Sequence, residues 1–323
     1  MNQQTEVQGH TALSLAIDGG DRSDHKVIDL LLKAGADVNK QCKEEGRTAL
    51  HNAVTKNWPY SLVQKLLAHG GNPNIADKQG KTPLARGCTV RNIDPRILTD
   101  LAVRTDQVGA PDANGRSCLH DAVSSGQSQA VIEALLGMRL PMGINRPALQ
   151  GGLTVLLAAC KAGQAGVVDL LIEAGANVNA KGEKGRSALQ VTVRGGMSSK
   201  SALTDRIITA LLQARADVCA VDDDGGNLLL DASEAGMTGL VSVLMSRREI
   251  DACTVRRAGD GHCALSLAIA NSHVATATVI IKSQQMPPAF LASFKKGNDT
   301  LAQMAHKKQG MKSVEELLTA PAP

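Results

Sequence analysis

The stretch GRTALHNAV, residues 46–54, decides how the rest of the chain is read. A glycine and a basic residue precede Thr48, whose hydroxyl can accept from the free amides of a helix start. Ala, Leu and Val then follow at helical spacing. The same pattern returns in phase along the chain. It reads GHTALSLAI at 9–17, GKTPLARGC at 80–88, GRSCLHDAV at 115–123, GLTVLLAAC at 152–160 and GRSALQVTV at 185–193. Fainter copies are GGNLLLDAS at 225–233, GHCALSLAI at 261–269 and GNDTLAQMA at 297–305. A second block trails the first, clearest as VIDLLLKAGADVN at 27–39, LVQKLLAHGGNPN at 62–74 and VVDLLIEAGANVN at 167–179.

Each block has a physical reading. Thr11, Thr48, Thr82, Thr154, Ser117 and Ser187 are expected N-caps, and Pro83 a first-turn proline. The trailing block is a second amphipathic helix, closed by Gly35, Gly70 and Gly175 in left-handed conformation. DKQG at 77–80 and DANG at 112–115 are turn signals in an extended, polar finger. One unit is therefore turn, helix, loop, helix. Such a unit cannot bury its apolar face alone, so neighbours must stack into an all-α repeat solenoid. Extra residues in DGGDRSDHK (repeat 1) and RGGMSSKSALTD (repeat 6) fall in the loop between the two helices.

These motifs resemble the ankyrin repeat family, whose first helix opens T-P-L-H-x-A and whose second ends near L-L-x-x-G-A-D-V-N. The resemblance covers residues 9–318, with units starting near 9, 46, 80, 115, 152, 185, 225, 261 and 297, the last truncated. It leaves a polar extension at 1–8 and a tail at 319–323. It implies stacked helix-loop-helix units with projecting β-hairpin-like fingers. Repeat 3 departs from the pattern with ARGC where HxAA is usual, and the finger QQMPPAFLASFKK is not predictable from the motif.

Composition narrows the function. The chain has 323 residues, 43% of them apolar, but only one Trp, one Tyr and two Phe. Its interior must be built from close-packed Leu, Ala, Val and Ile. A net charge of +4 is too mild to argue for nucleic acid. The N-terminus has no secretory apolar region, and no apolar run reaches membrane length. Seven Cys without a CxxC pair suit a reducing, intracellular setting, cytoplasmic or nuclear. QGKT at 79–82 fails as a phosphate loop, because Ile75 stands where that loop needs glycine. No metal or cofactor is expected.

In the resembled family, finger tips and exposed first-helix positions bind a partner protein. Here these are Arg47, Lys56, Lys78, Gln79, Lys81, Asn114, Arg116, Ser124, Lys161, Lys184, Arg186 and Arg194. Most are basic, which favours a partner with an acidic segment; Asp223, Asp224 and Glu234 reverse the sign in repeat 7. Trp58 and Tyr60, in NWPYSL at 57–62, lie on the opposite loop edge. They either anchor a partner or seal the edge. His51 and His120 are expected to bond backbone between adjacent units; His10 and His262, after the turn glycine, are expected on the surface. Cys88, Cys160, Cys118 and Cys263 are expected in the core. The reading is a non-catalytic, monomeric scaffold, adaptor or inhibitor. The alternatives are a repeat region of a larger protein whose activity lies elsewhere, or nucleic-acid binding by the basic groove.

Overall fold

A computed structural model describes residues 10–19, 25–105, 109–137, 143–149, 151–195, 202–247, 256–283, 288–296 and 299–319. The expected extension at 1–8, residues 20–24 and 196–201 of the two loop insertions, and the tail beyond 319 lie outside them.

Helices follow in pairs. The first four are α1 (Ala12–Gly19) with α2 (Lys26–Lys33), α3 (Ala49–Thr55) with α4 (Tyr60–Ala68), α5 (Pro83–Cys88) with α6 (Pro95–Arg104), and α7 (Cys118–Ser125) with α8 (Gln129–Leu136). Then come α9 (Val155–Lys161) with α10 (Ala165–Glu173), α11 (Ala188–Gly195) with α12 (Ala202–Gln213), and α13 (Leu228–Glu234) with α14 (Thr238–Met245). The last are α15 (Ala264–Ala270) with α16 (Val274–Lys282), and α18 (Leu301–His306) with α19 (Lys312–Thr319). An additional helix, α17 (Pro288–Ser293), and an antiparallel pair, β1 (Lys295–Lys296) with β2 (Asp299–Thr300), fill the final finger.

The chain divides into two compact units, Met1–Ala159 with Glu173–Ala176, and Cys160–Ile172 with Asn177–Pro323. In the first, α1, α3, α5 and α7 pack in sequence, and α6 lies against α4 and α8. In the second, α11, α13, α15 and α18 pack in sequence, with α14, α16 and α19 stacked behind. Each unit is thus a stack of helical repeats, as the phased sequence pattern requires.

The caps stand where the sequence places them. Thr11, Thr82, Thr154 and Ser187 accept from the amide three residues on, at 3.1–3.4 Å, and Thr48 from the amide of His51 at 3.5 Å. In return, a side chain at that third position accepts from the cap residue's own amide: Ser14 (2.8 Å), His51 (3.1 Å), His120 (3.2 Å), Gln190 (3.2 Å), Ser266 (2.9 Å) and Gln303 (2.8 Å). At Thr11, Thr48, Ser187 and Thr300 both bonds form and two orphan donors are satisfied, whereas Thr82 and Thr154, followed by Ala85 and Leu157, satisfy one.

The scarcity of aromatics follows from the stacking. Five residues after each cap stands a small side chain, half-buried in the first repeat (Ala16) and buried in the others: Ala53, Gly87, Ala122, Ala159, Thr192, Ala232, Ala268 and Ala305. First helices approach closely there, and a large ring has no room. Gly87 is the extreme case, since a Cβ on it would lie 2.6 Å from Leu98 Cδ2 and 2.9 Å from Val54 Cγ1. This accounts for the departure ARGC in repeat 3.

His51 and His120 bond successive repeats as expected. Each Nδ1 accepts from its cap amide, so the ring proton is on Nε2, which donates to Lys81 O (3.0 Å) or Leu153 O (3.1 Å). Burial holds both imidazoles neutral, lowering His51 to about 4 and His120 below its usual value. Gln190 does the same with its amide, donating to Gly226 O at 3.1 Å. His262 corrects the sequence reading. It is only 9% exposed, because its Nδ1 lies 2.9 Å from Ser266 Oγ under α15. The four expected core cysteines are buried.

Candidate protein-binding surface

Fingers are closed by a backbone bond at the base, such as Asp77 N to Lys81 O (2.9 Å) and Asp112 N to Arg116 O (2.8 Å). Inside the turn an aspartate takes two amides. Asp77 Oδ1 accepts from Gln79 and Lys81, Asp112 Oδ1 from Asn114 and Arg116, and Asp222 Oδ1 from Asp224 and Gly226. Burial pulls the Asp77 carboxyl up, but these amides and Arg86 together hold it below the ordinary carboxylate value.

Within each unit, neighbouring fingers are also bonded to one another, at five places in all among the described residues. In the first unit Lys78 N donates to Glu45 O (3.0 Å), Ala113 N to Gln79 O (3.0 Å) and Leu149 N to Asn114 O (2.9 Å). In the second, Asp223 N donates to Lys184 O (3.0 Å) and Ala258 N to Asp224 O (2.8 Å). The approach is close enough that the turn glycine is required. Gly80 has φ +74°, and a Cβ there would meet the Ala113 amide nitrogen at 3.1 Å. The structure thus brings Lys78, Gln79 and Asn114 together as an exposed row, with Leu149, 76% exposed, beside them.

Most of the remaining candidates are spent inside their own unit. Lys81, 11% exposed, is ion-paired with Asp121 and lies 3.4 Å from Asp112. Arg116 reaches Asp121 (3.0 Å) and donates to Ser124 Oγ (2.8 Å). Arg47 pairs with Glu45 (2.8 Å), and Lys56 with Asp18 (3.3 Å). Arg86, absent from the sequence reading, pairs with Asp77 (2.5 Å) and holds Gln79 Oε1 at 2.9 Å. In the second unit Arg194 lies between Asp231 (2.6 Å) and Asp222 (3.5 Å), and Arg186 lies 3.8 Å from Asp222. Arg257 continues the network to Glu234 (2.5 Å), Asp260 (3.6 Å) and Asp231 (3.9 Å). Burial raises the Asp231 carboxyl, against the lowering pull of Arg194.

The basic groove is therefore smaller than the sequence suggests. Lys161 and Lys184 remain exposed in the second unit, but the tips around Lys184 are Glu183, Asp223 and Asp224, all exposed acids. In the first unit Lys40, Lys43 and Lys78 are exposed at the fingers, Glu45 is paired with Arg47, and Glu44 is the exposed acid beside Lys43. Exposed lysines outnumber exposed acids only on the first unit's finger row, where Lys40, Lys43 and Lys78 stand against Glu44 and the Arg47-paired Glu45.

Trp58 is 2% exposed, so of its two readings the structure supports the sealing one. It follows Asn57, a left-handed residue (φ +53°) that ends α3. Its indole N–H donates to Ile17 O at 2.9 Å, and its ring meets His25 edge-on at 5.5 Å. Other repeats use the same position. After left-handed Gly126, Gln127 donates to Cys88 O and Val90 O; after left-handed Ser272, His273 Nε2 lies 2.9 Å from Glu234 O. Trp58 thus joins repeat 1 to repeat 2. Tyr60 is half-buried, donating to Asp100 at 3.4 Å beneath the Arg96 guanidinium.

Reading the motif also missed α17. Its Phe290, with Phe294 after it, lies under Arg256, whose guanidinium is 6.0 and 4.9 Å from the two rings. The pair of Phe in an otherwise ring-poor chain was the available signal. No group of three or more His, Cys, Asp or Glu is arranged to hold a metal among the described residues, and no described helix is long and apolar enough to cross a membrane.

A family model described as Ankyrin repeats (3 copies) matches residues 21–94 and 119–199. The chain is 33% identical over 167 residues to Palmitoyltransferase AKR1 of Lachancea kluyveri, covering 51% of this chain and 22% of that protein. It is 34% identical over 128 residues to human SH3 and multiple ankyrin repeat domains protein 1, covering 40% and 6%. It therefore spans less than a quarter of either relative. Among solved structures, the ankyrin repeat domain of Bcl-3, a member of the IkappaB protein family, matches with TM-score 0.54 and 26% identity, over 69% of this chain and 94% of that one.

Proposed function

Because the chain is built of ankyrin repeats, we propose that it is a non-catalytic binding protein that holds an acidic segment of a partner protein along the first unit's finger row and inner helices. One observation carries this reading: at the finger tips, Lys78, Gln79 and Asn114 are each tied by a backbone bond to the neighbouring finger, at Glu45, Ala113 and Leu149. A partner meets a surface already ordered, so little entropy is lost on docking. Lys40, Lys43 and Lys78 supply attraction and steer encounter. Leu149 supplies an apolar contact at the end of the row. The inward pairing of Lys81, Arg86 and Arg116 speaks against a nucleic-acid groove, since a phosphate backbone needs cations free to meet it.

The test is cross-linking of the intact chain to captured partners, read by mass spectrometry, alongside a Lys43→Glu/Lys78→Glu variant. Cross-links from Lys43 and Lys78 of the parent into an Asp/Glu-rich segment, with capture of that partner lost in the variant, support the reading. Capture unchanged by both substitutions overturns it.

A further inference from the structure

The loop edge carries a second, independent feature in the first unit. Six residues, Thr89 to Asp94, join α5 to α6, whereas only Gly126–Ser128 join α7 to α8. The unequal loops leave a cleft of about 360 Å³ between repeats 3 and 4. Ile93, which is buried, forms part of its lining. The inward polar groups are already satisfied. Ser125 Oγ donates to Cys88 O at 2.6 Å, and Gln127 Nε2 donates to Cys88 O at 3.1 Å and Val90 O at 2.6 Å.

What remains unspent is a set of donors. Arg91 is exposed at the cleft, with no ion pair or side-chain hydrogen bond to the described residues. Asn92, held at φ +57°, keeps its carboxamide free, and the Ser128 hydroxyl makes no cap bond to α8. No carboxylate lines the cleft. A cavity with one guanidinium, an amide and a hydroxyl, and no opposing charge, is matched to an anion. Its volume is near the lower end of ligand sites, roughly 300 Å³ upward, and exceeds what a carboxylate fills. A guanidinium fork pairs two oxygens of a tetrahedral anion and leaves the third for the amide and hydroxyl.

We propose that this cleft binds a phosphate group, carried as a monoester on a side chain or as the free ion. It stands apart from the finger row, so either proposal can fail without the other. The test is amide chemical-shift titration of the ¹⁵N-labelled full chain with phosphoserine, inorganic phosphate and acetate. Saturable shifts at Asn92 and Ser128 are expected with phosphoserine. Arg91→Gln should weaken binding about tenfold or more, the loss of one charge-assisted pair, and Arg91→Lys less, since charge remains without the fork. Lys43→Glu/Lys78→Glu should leave the titration unchanged. Phosphoserine binding tighter than inorganic phosphate places the group on a partner's side chain; equal affinity makes the free ion the ligand; both sustain the site. Absence of saturable shifts, an unaffected Arg91→Gln variant that melts like the parent, or acetate binding as well as phosphoserine overturns it.

Discussion

At the residue scale, two side chains join neighbouring repeats by different means, and each predicts its own signature. Trp58 combines a buried ring with a donated bond to Ile17 O. Trp58→Phe should lose about 1 kcal/mol with the hydrogen bond, and Trp58→Ala roughly 3–5 kcal/mol with the ring. Urea unfolding followed by circular dichroism separates the two. His51 titrates in the fold at about 4 and is neutral well above that, while an unfolded histidine titrates near 6.5. The unfolded chain therefore binds a proton first as pH falls. Stability should be full above pH 6.5 and decline between 6.5 and about 4, by roughly 3 kcal/mol at most for this group. His51→Gln should flatten that decline, because Gln190 makes the same pair of bonds without titrating. Denaturation midpoints across this pH range decide it.

At the same scale, ion pairs divide by burial. Lys81→Met removes the partner of two carboxylates whose side chains are only 2% and 4% exposed. About 3 kcal/mol should be lost, since Asp112 is left buried with no cation and Asp121 keeps only Arg116, and an under-compensated buried charge costs more than the pair contributed. Lys56→Met breaks an exposed pair and should cost under about 1 kcal/mol. Equal losses in chemical denaturation would sink the distinction.

At the element scale, first helices are set by caps and by one small residue. Gly87→Ala tests which matters more. Alanine gains about 1 kcal/mol in helix propensity, but its methyl would intrude on Leu98 and Val54, at about 1–3 kcal/mol. The variant should be net destabilised despite the better helix former, read as a lowered denaturation midpoint. Caps, closing glycines and the small fifth position were legible in the sequence because each is a local demand repeated in phase. Pairing between repeats was less so. Lys81 and Asp121 are 40 residues apart, and nothing local says which charges meet. A signal existed in retrospect: Asp121 and Asp231 stand at the same position four residues after their caps, and each sits against a basic side chain. The burial of His262 depended likewise on Ser266, one turn further on.

At the scale of the whole molecule, the solenoid was readable from repetition alone, while the division into two compact units was not. How much of the basic charge faces solvent was not legible either, for a related reason. Net charge counts every cation, but buried pairing withdraws most first-helix and finger arginines from solvent. It leaves Lys40, Lys43 and Lys78 beside Glu44 on the first unit's fingers, and Lys184 among Glu183, Asp223 and Asp224 on the second's.

The finger-to-finger bonds have a mechanical side. Between neighbouring fingers of the first unit the backbone is tied by bonds such as Lys78 N to Glu45 O and Ala113 N to Gln79 O. Tension applied along the chain would load such junctions one after another, as in peeling tape, rather than shearing many at once. Stretched in an optical trap, this unit should yield in a staircase of small, similar steps. Each should free the 34 or so residues between successive turn glycines, Gly46 and Gly80, or about 110 Å of extended chain. A single large rip would mean that the junctions share their load.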